Sequence, residues 1–458
     1  MTFASDVKLE LEGIVGVGDV RDEDYVLTAY ATDISEFPPS KADAVVLPES
    51  KEEVSAILKL ANERKIPVTP RASNTLGFGV GLAQGGILLD LGKMDGILRI
   101  EEDLMTATAQ AGCGAYKFFQ AVNKRGLDIP VRPWFGSGPS IGSWIAATGT
   151  GARVHRYGHC QEWVCGLEVV LATGEIIQTG AGQYENHSNY LHRGGSGNLM
   201  NLFQMTFGTL GVITEVTVGL IPLPDITISV CYGFNDMKSF IKAAYDIQRA
   251  DAATDIEHED GDLYNHFLEM SEPYPFVLCI TNQGHEKEAE ARTEVVSRIC
   301  EGLGGHALPD KFAKATWNNA ATFDYRTTHF GRYTLAAASC SYRSYEKAYR
   351  IIKDTFAKYN IKNAWSGWSC WPAWVEGWAV AYYNPETQLE DMQKCKFEIT
   401  RQCADLPDYF FNSVRAPYED LLVRIKNMID PNNIMNPSTW DFVTGSPFKA
   451  IRNIPLEQ

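Results

Sequence analysis

The pattern of apolar and polar positions predicts a first group of elements between residues 50 and 91. Ser50 and Glu53 form a capping box, which is followed by four apolar residues on one helical face: Val54, Ile57, Leu58 and Ala61. This predicts a helix from about Lys51 to Arg64. Two short strands are predicted next, at Ile66 to Thr69 and at Ile87 to Leu91, and the loop between them carries glycines at positions 77, 79, 81, 85 and 86.

Similar patterns continue as far as Ile221 and predict a domain that mixes helices with sheets. The predicted elements are a strand at Thr106 to Gly112, a helix at Ala115 to Arg125 that ends at Gly126, a hairpin of Leu167 to Leu171 with Glu175 to Thr179, and a strand at Val212 to Leu220. This arrangement is typical of the α+β class.

Pro222 and Pro224 interrupt the last of these strands, so we place a domain boundary there, between residues 1–223 and 224–420. Beyond it, strands predicted at Ile226 to Tyr232, Phe276 to Thr281, Thr334 to Cys340 and Ala379 to Tyr383 alternate with helices predicted at Met237 to Arg249, Lys287 to Leu303, Tyr345 to Tyr359 and Leu389 to Ala404. This alternation predicts an antiparallel sheet covered by helices on one face, with the other face free to roof a cavity. The turn-rich stretch DPNNIMNP at Asp430 then predicts that residues 421–458 return to the first domain.

Composition and charge exclude several classes of protein. The chain has 458 residues and a formal net charge of -16, without the concentrated basic face that a nucleic-acid partner requires. No stretch has the length and apolar character of a membrane span, and the first residues do not resemble a secretion signal, so we expect a cytoplasmic protein. The ten cysteines show no CxxC or CxxH spacing, so we expect most of them to be reduced and buried.

Three stretches are candidates for ligand binding. The glycine loop after Pro70 and the stretch from Gly136 to Gly174 both let backbone amides approach a large anionic ligand, although a glycine-rich turn with no ligand would look the same. The third stretch contains tryptophans at 365, 368, 371, 374 and 378. These indoles either pack in a core or line a cavity for a planar substrate.

Taken together and in this order along the chain, these stretches resemble the vanillyl-alcohol oxidase / p-cresol methylhydroxylase superfamily of FAD enzymes. That superfamily includes glycolate oxidase and D-lactate dehydrogenase flavoproteins. The resemblance covers roughly residues 40 to 224 and 420 to 440. It is carried by ADAVVLPESKEEVSAILKLANERKIPVTPR, the glycine loop, GGILLDLGKM, AQAG, SIG at Ser140, YG at Tyr157, CGLEVVLATGE at Cys165, FGTLGVITEV at Phe207 and the DPNNIMNP tail. It implies a PCMH-type FAD-binding domain joined to a substrate (cap) domain.

The resemblance also implies which residues contact FAD. The implied residues are Arg71, Ala72, Ser73, Asn74, Thr75, Gly77, Phe78 and Gly79 at the pyrophosphate, Ser140, Ile141, Gly142, Thr148, Gly149 and Gly151 along the flavin, and Gly211, Val212 and Ile213 near the adenine. Some relatives attach the flavin through a histidine, but residues 70–86 contain none, and Glu376 and Gly377 stand where phenol oxidases carry another. We therefore expect dissociable FAD.

For the reaction, the resemblance implies dehydrogenation of a small hydroxylated substrate by hydride transfer to N5 of the flavin. The candidate catalytic residues are His159, Tyr157, Tyr409 and Arg415, and His159 is the candidate base because it follows the Tyr-Gly pair, where some relatives carry an acid. A structural role for His159 in the wall remains an alternative. No metal is expected, because the HxGDGNxH and EHG motifs of the metal-dependent hydroxy-acid enzymes are missing.

Three functions stay open at this point. An aromatic or benzylic alcohol or an alkylphenol is favoured as substrate, although Phe78 lacks the hydroxyl of the phenolate-binding tyrosine in phenol oxidases. A D-2-hydroxy acid, oxidised without a metal, is the second candidate substrate. The arginines that could bind its carboxylate are Arg132, Arg153, Arg326 and Arg415. The third is a non-catalytic electron-transfer subunit, and a homo-oligomer or an electron-accepting partner protein is compatible with each of the three.

Overall fold

The computed structural model describes residues 5–134, 138–187, 189–191, 197–266, 273–319, 332–410 and 415–440. Its first region, up to residue 222, contains seven helices and eleven strands among the described residues. The helices are α1 (Ser5–Val15), α2 (Asp24–Tyr30), α3 (Lys51–Arg64), α4 (Ala115–Asn123), α5 (Ile141–Ala147), α6 (Val154–Tyr157) and α7 (Cys160–Trp163). The strands are β1 (Val20–Arg21), β2 (Ala44–Val46), β3 (Val68–Arg71), β4 (Ile87–Asp90), β5 (Ile97–Glu101), β6 (Thr106–Gln110), β7 (Leu127–Asp128), β8 (Val164–Val170), β9 (Ile176–Gln178), β10 (Val212–Gly219) and β11 (Ile221–Pro222).

These strands form two main sheets around one hydrophobic core. The first has the order β1-β2-β4-β3 with β2, β4 and β3 parallel, and the second is an antiparallel sheet in the order β5-β6-β10-β8-β9. Helix α3 begins as predicted, because the Ser50 side chain accepts a hydrogen bond from the Glu53 amide. Its apolar face lies in the core with strands of both sheets.

The strand predicted at Ile66 to Thr69 begins two residues later, at Val68. Lys65 ends α3 in the left-handed conformation with φ of 55°, and the amide of Ile66 still donates to Ala61 of the helix. The hydrogen bonds that end the helix therefore include Ile66, which the apolar pattern alone assigns to the strand.

The second region is a sheet with the order β15-β12-β14-β13-β18-β19-β16, with β17 paired to β19. Its strands are β12 (Ile226–Phe234), β13 (Asp255–Asp260), β14 (Phe276–Gly284), β15 (His306–Ala307), β16 (Arg332–Ala337), β17 (Cys340–Ser341), β18 (Lys362–Cys370) and β19 (Trp374–Tyr383). Its helices are α8 (Met237–Arg249), α9 (Gly261–His266), α10 (Glu286–Gly302), α11 (Asp310–Asn319), α12 (Tyr342–Lys358) and α13 (Leu389–Cys403). All its pairings are antiparallel, as predicted.

Four helices, α8, α10, α12 and α13, pack on one face of this sheet and form its main core. The opposite face was predicted to be free of helices, but two helices pack on it. They are α9 and α11, which contact the sheet through Leu263, Tyr264, Phe312 and Ala313. The remainder of that face looks towards the first region. Strands β13 and β18 are absent from the sequence prediction, because β13 reads DIEHED and its acidic residues hide the apolar alternation of a buried strand.

The chain then returns to the first region through α14 (Ala416–Ile429), as far as the described residues follow it. Met435 forms a parallel bridge with Val68, and the buried Lys426 ammonium donates to Asp430 and to the backbone oxygen of Thr209. Cys231 and Cys279 form a disulfide between β12 and β14, and the other eight cysteines are free and buried, as predicted for most of them. No helix within the described ranges is both long and apolar enough to cross a lipid bilayer.

Candidate active site

A large cavity lies between the first region and the open face of the second region's sheet. Its empty volume, counting space that opens to solvent, is about 1660 Å³. Ligand sites occur preferentially in concave spaces of this kind at the interface between domains.

The glycine loop forms one wall of the cavity. Arg71, Ala72, Asn74 and Thr75 line it, whereas Ser73, Gly77, Phe78 and Gly79 lie behind that surface. Ser73 supports the wall from behind, because its hydroxyl accepts a hydrogen bond from the Ser140 amide. The Gly79 amide donates to Asp33, so that amide is already used.

The second wall is built from α5 and the start of β10. Of the residues expected along the flavin and adenine, the cavity is lined by Gly142, Thr148, Gly211, Val212 and Ile213. Ser140, Ile141, Gly149 and Gly151 stand one layer back. The sequence reasoning missed Trp134, Thr150, Phe207 and Gly208, which also line the cavity.

The residues of these two walls fit an FAD molecule. The side-chain amide nitrogen of Asn74 is buried without a hydrogen-bond partner, and it therefore offers a free donor to an anionic group at the wall. Asn74 has φ of 49°, and its side-chain oxygen lies against Gly81, where an added Cβ would come within 2.4 Å of it. The loop is therefore a tight curl of small residues with a polar donor, which suits a pyrophosphate.

A side chain at Gly142 is expected to prevent FAD binding. An added Cβ would lie 2.4 Å from the Ala111 Cβ and 2.7 Å from its Cα, so α5 would have to move into the cavity. Gly142→Val should therefore be purified with less than about a tenth of the wild-type flavin content, measured by absorbance. Gly114→Val is the matched control, since nothing lies within 4 Å of a Cβ at that position. Full occupancy in Gly142→Val would remove α5 from the FAD site.

The roof of the cavity is formed by side chains that alternate along β13, β18 and β19. Two rows cross the three strands: Glu257, Trp368 and Glu376 are paired in register, and so are Glu259, Ser366 and Trp378. All six residues line the cavity and all are buried. The roof therefore presents three carboxyl groups among indole rings.

Glu376 is the best-connected of these carboxyl groups. It accepts hydrogen bonds from the Thr150 hydroxyl at 2.7 Å and from the Trp378 indole at 3.3 Å. The His159 imidazole nitrogen lies 3.6 Å from the same carboxylate, and its ring stacks on Trp374. His159 is not itself a lining residue, so Glu376 stands between it and the cavity.

Burial changes the proton affinity of the other two acids of the roof. It raises the pKa of Glu257 well above the usual range, and the nearby Asp255 and Glu259 add to the effect. Burial likewise raises the pKa of Glu259, with a further contribution from Asp260. Burial therefore favours the protonated form of both groups, which can donate as well as accept hydrogen bonds.

The structure does not bring the other candidate catalytic residues to the cavity. Tyr409 packs in the helix-covered core, where its hydroxyl donates to the Ala337 oxygen, and it is not among the residues that line the cavity. Arg415 is an exposed residue at the start of α14, and Tyr157 packs against the core of the first region. Of the arginines suggested for a carboxylate, Arg132 and Arg153 both bind Asp128, and Arg326 lies outside the described residues.

One group of side chains has the composition of a metal site. His159, Cys370 and Glu376 offer three ligand atoms within 4.8 Å of one another. Burial, together with the charge of Glu376, raises the pKa of the Cys370 thiol well above its usual range. The thiolate is the form that binds metals, so the buried thiol is a poor ligand as it stands.

The sequence contains one signal for the acids of β13, which is their spacing. Asp255, Glu257 and Glu259 occupy alternate positions, which is the spacing of one face of a strand. The flanking residues do not repeat this pattern with apolar side chains, and the stretch reads as a solvated loop for that reason.

Comparison with known proteins agrees with the site. A family model described as an FAD binding domain matches residues 42–180. The chain is 26% identical to glycolate oxidase subunit GlcD of Bacillus subtilis (strain 168) over 469 residues, which cover 95% of this chain and 96% of that protein.

Two solved structures share the fold. The 4-ethylphenol oxidase of Gulosibacter chungangensis has a TM-score of 0.81 at 19% identity, covering 95% of this chain and 96% of that one. p-Cresol methylhydroxylase has a TM-score of 0.78 at 17% identity, covering 94% and 95%. The chain is therefore an FAD-dependent oxidoreductase with an FAD binding domain in residues 42–180, and it is similar along nearly its whole length to glycolate oxidase subunit GlcD.

Proposed function

We propose that this oxidoreductase dehydrogenates an uncharged aromatic or benzylic alcohol. One observation carries the proposal: the roof of the cavity holds three carboxyl groups and two tryptophans, and Arg71 is the sole basic residue among the described lining residues. Arg71 lies in the glycine loop, away from the roof, and donates to the backbone oxygen of Tyr30. A neutral ring suits indole walls, whereas an anion would find no cation among the roof residues.

The described residues can hold and deprotonate such a substrate. FAD, when bound, supplies the acceptor for the hydride that leaves the carbinol carbon. Glu376 takes the hydroxyl proton, because Thr150 and Trp378 orient its carboxylate at the cavity surface. His159 supports Glu376 from behind and is the group to which the proton can pass next. The indoles of Trp134, Trp368 and Trp378 keep water away from the ring.

A D-2-hydroxy acid is the second candidate, and the similarity to glycolate oxidase subunit GlcD along nearly the whole chain favours it. It would need a cation for its carboxylate. Arg132 and Arg153 are engaged with Asp128, and neither lines the cavity. We therefore rank this candidate second.

We also propose that FAD is dissociable and that the reaction needs no metal. No histidine or cysteine occurs among the described lining residues, and these are side chains that could attach a flavin. Glu376, the acid of the His159 cluster, is already bonded to Thr150 and Trp378.

Anaerobic titration of the purified holoenzyme with benzylic alcohols, alkylphenols and D-2-hydroxy acids tests the proposed function. We expect bleaching of the flavin absorbance by benzylic alcohols, with no change after treatment with a chelator and removal of metals by dialysis. Bleaching by glycolate or D-lactate alone would reverse the order of the candidates. No bleaching by any compound would favour an electron-transfer subunit, and loss of activity with the chelator would assign a metal to the His159 cluster.

A further inference from the structure

The roof of the cavity contains polar atoms that the proposed reaction does not use. Glu259 is 2% exposed, and one of its oxygens accepts a hydrogen bond from the Ser366 hydroxyl at 2.9 Å. Its other oxygen is buried without a partner. The indole nitrogens of Trp134 and Trp368 are also buried without a partner, and the two rings stack with their centroids 3.8 Å apart.

Buried polar atoms are rarely left unpaired, because each one costs free energy that a partner would return. Glu259, Trp134 and Trp368 all line the cavity, so a molecule bound in the cavity can supply the missing partners. The three atoms are at least one acceptor, on Glu259, and two donors, on the indoles. This set is distinct from Glu376, whose carboxylate is already bonded to Thr150 and Trp378.

The two acids are separated by a definite distance along the roof. From Glu376 to Glu259 the path crosses two strand spacings and runs two residues along the strand. With strands about 4.8 Å apart and a rise of about 3.4 Å per residue, the backbones of the two residues are about 12 Å apart. This is about the length of one aromatic ring with a hydroxymethyl group at each end, held by a hydrogen bond at each acid.

We propose that the substrate is a neutral aromatic diol, in which one hydroxyl is oxidised beside Glu376 and the second binds at Glu259 under Trp134 and Trp368. This inference rests on the proposed function and names its substrate class. A hydroxyl both donates and accepts, so it satisfies the acid and the indoles together. An ammonium group only donates and would leave both indoles unpaired, and a carboxylate only accepts and would leave the acceptor oxygen of Glu259 unpaired.

A matched series of substrates tests the second hydroxyl. The compounds share the benzyl alcohol scaffold and differ at the para position: hydroxymethyl, methyl, carboxylate and aminomethyl. Dissociation constants are measured by isothermal titration calorimetry of the holoenzyme, and rates by stopped-flow reduction of the flavin. We expect the hydroxymethyl compound to bind about 10- to 100-fold more tightly than the methyl compound.

Variants of Glu259 show whether this residue produces the preference. Glu259→Leu should abolish it, whereas Glu259→Gln should keep most of it, because an amide also donates and accepts. Asp262→Asn is the matched control, since Asp262 is half-exposed on α9 and binds Lys353, and it should keep the full preference. A Glu259→Leu variant that retained the full preference would overturn the proposal.

The outcomes separate this inference from the proposed function. Equal binding of the hydroxymethyl and methyl compounds overturns the inference, and so does tightest binding of the carboxylate or the aminomethyl compound. If the hydroxymethyl compound binds most tightly but no member of the series reduces the flavin, the hydroxyl-binding site at Glu259 stands and the proposed alcohol oxidation fails.

Discussion

Replacement of Glu376 by glutamine is expected to slow reduction of the flavin by about 10²- to 10⁴-fold, the range that a positioned proton acceptor contributes. Glutamine keeps the volume of the side chain and can still accept from Thr150 and Trp378, so the wall and the bound FAD should be retained. Only the ability to take the hydroxyl proton is lost. Stopped-flow reduction of FAD-saturated wild type and variant measures the effect.

Two further variants show where the proton goes. Glu215→Gln changes a half-buried acid of β10 that does not line the cavity, and it should leave the rate within a few-fold. His159→Gln should keep FAD and slow the reaction less than Glu376→Gln, because Glu376 separates the imidazole from the cavity. If His159→Gln is the slower variant and Glu376→Gln is nearly normal, the histidine is the proton acceptor and Glu376 only positions it.

Replacement of Asp128 by asparagine should destabilise the protein by about 3–5 kcal/mol, the usual effect of breaking a buried ion pair from one side. Asp128 is fully buried and binds Arg132 at 2.7 Å and Arg153 at 3.0 Å. Arg153 is 1% exposed, so its charge would be left in the interior without a counterion. The free energy of unfolding in denaturant measures the loss.

The control and the dependence on pH follow from the same contacts. Glu102→Gln breaks an ion pair with Arg125 in which both side chains are more than half exposed, and it should cost at most about 1 kcal/mol. Burial acts to raise the pKa of Asp128, but Arg153 and Arg132 outweigh it and hold that pKa below its usual value. The stabilisation is therefore complete above the ordinary aspartate pKa and is lost as the pH falls through the lowered one. Equal stability of Asp128→Asn and wild type would show that the pair contributes nothing.

The six helices predicted from the sequence are all present, because their signals are local, whereas helices such as α1, α5 and α11 were not predicted. The bounds of α3 and α8 agree with the prediction to the residue, since each has a capping side chain and an apolar face of regular spacing. Strands β13 and β18 were missed because their side chains serve the cavity: alternate acids in one, and indoles with serines in the other. Acids that line an enclosed cavity look the same in a sequence as acids in water.

The site was predicted in part for a related reason. The residues that approach FAD closely belong to short glycine-rich stretches whose order along the chain is specific, and most of these stretches lie at or just behind the cavity wall. Tyr409 lies in the helix-covered core, and a position in the sequence does not tell which face of the sheet a side chain reaches. The pairing of Glu376 with Thr150 joins residues 226 positions apart, so only the folded structure could show it.

The return of the chain at Met435 bears on when the protein can acquire its cofactor during synthesis. The Asn436 side chain donates to the backbone oxygens of Val80 and Phe207, and its backbone amide donates to Val68. Val80 and Phe207 line the cavity, yet Asn436 leaves the ribosome 356 residues after Val80. Domains fold as they emerge from the ribosome. A nascent chain that has completed both sheets still lacks the hydrogen bonds that Asn436 donates. Capture of FAD is therefore expected only after Asn436 has been synthesised, and a ribosome stalled before Lys426 should carry a folded but colourless polypeptide.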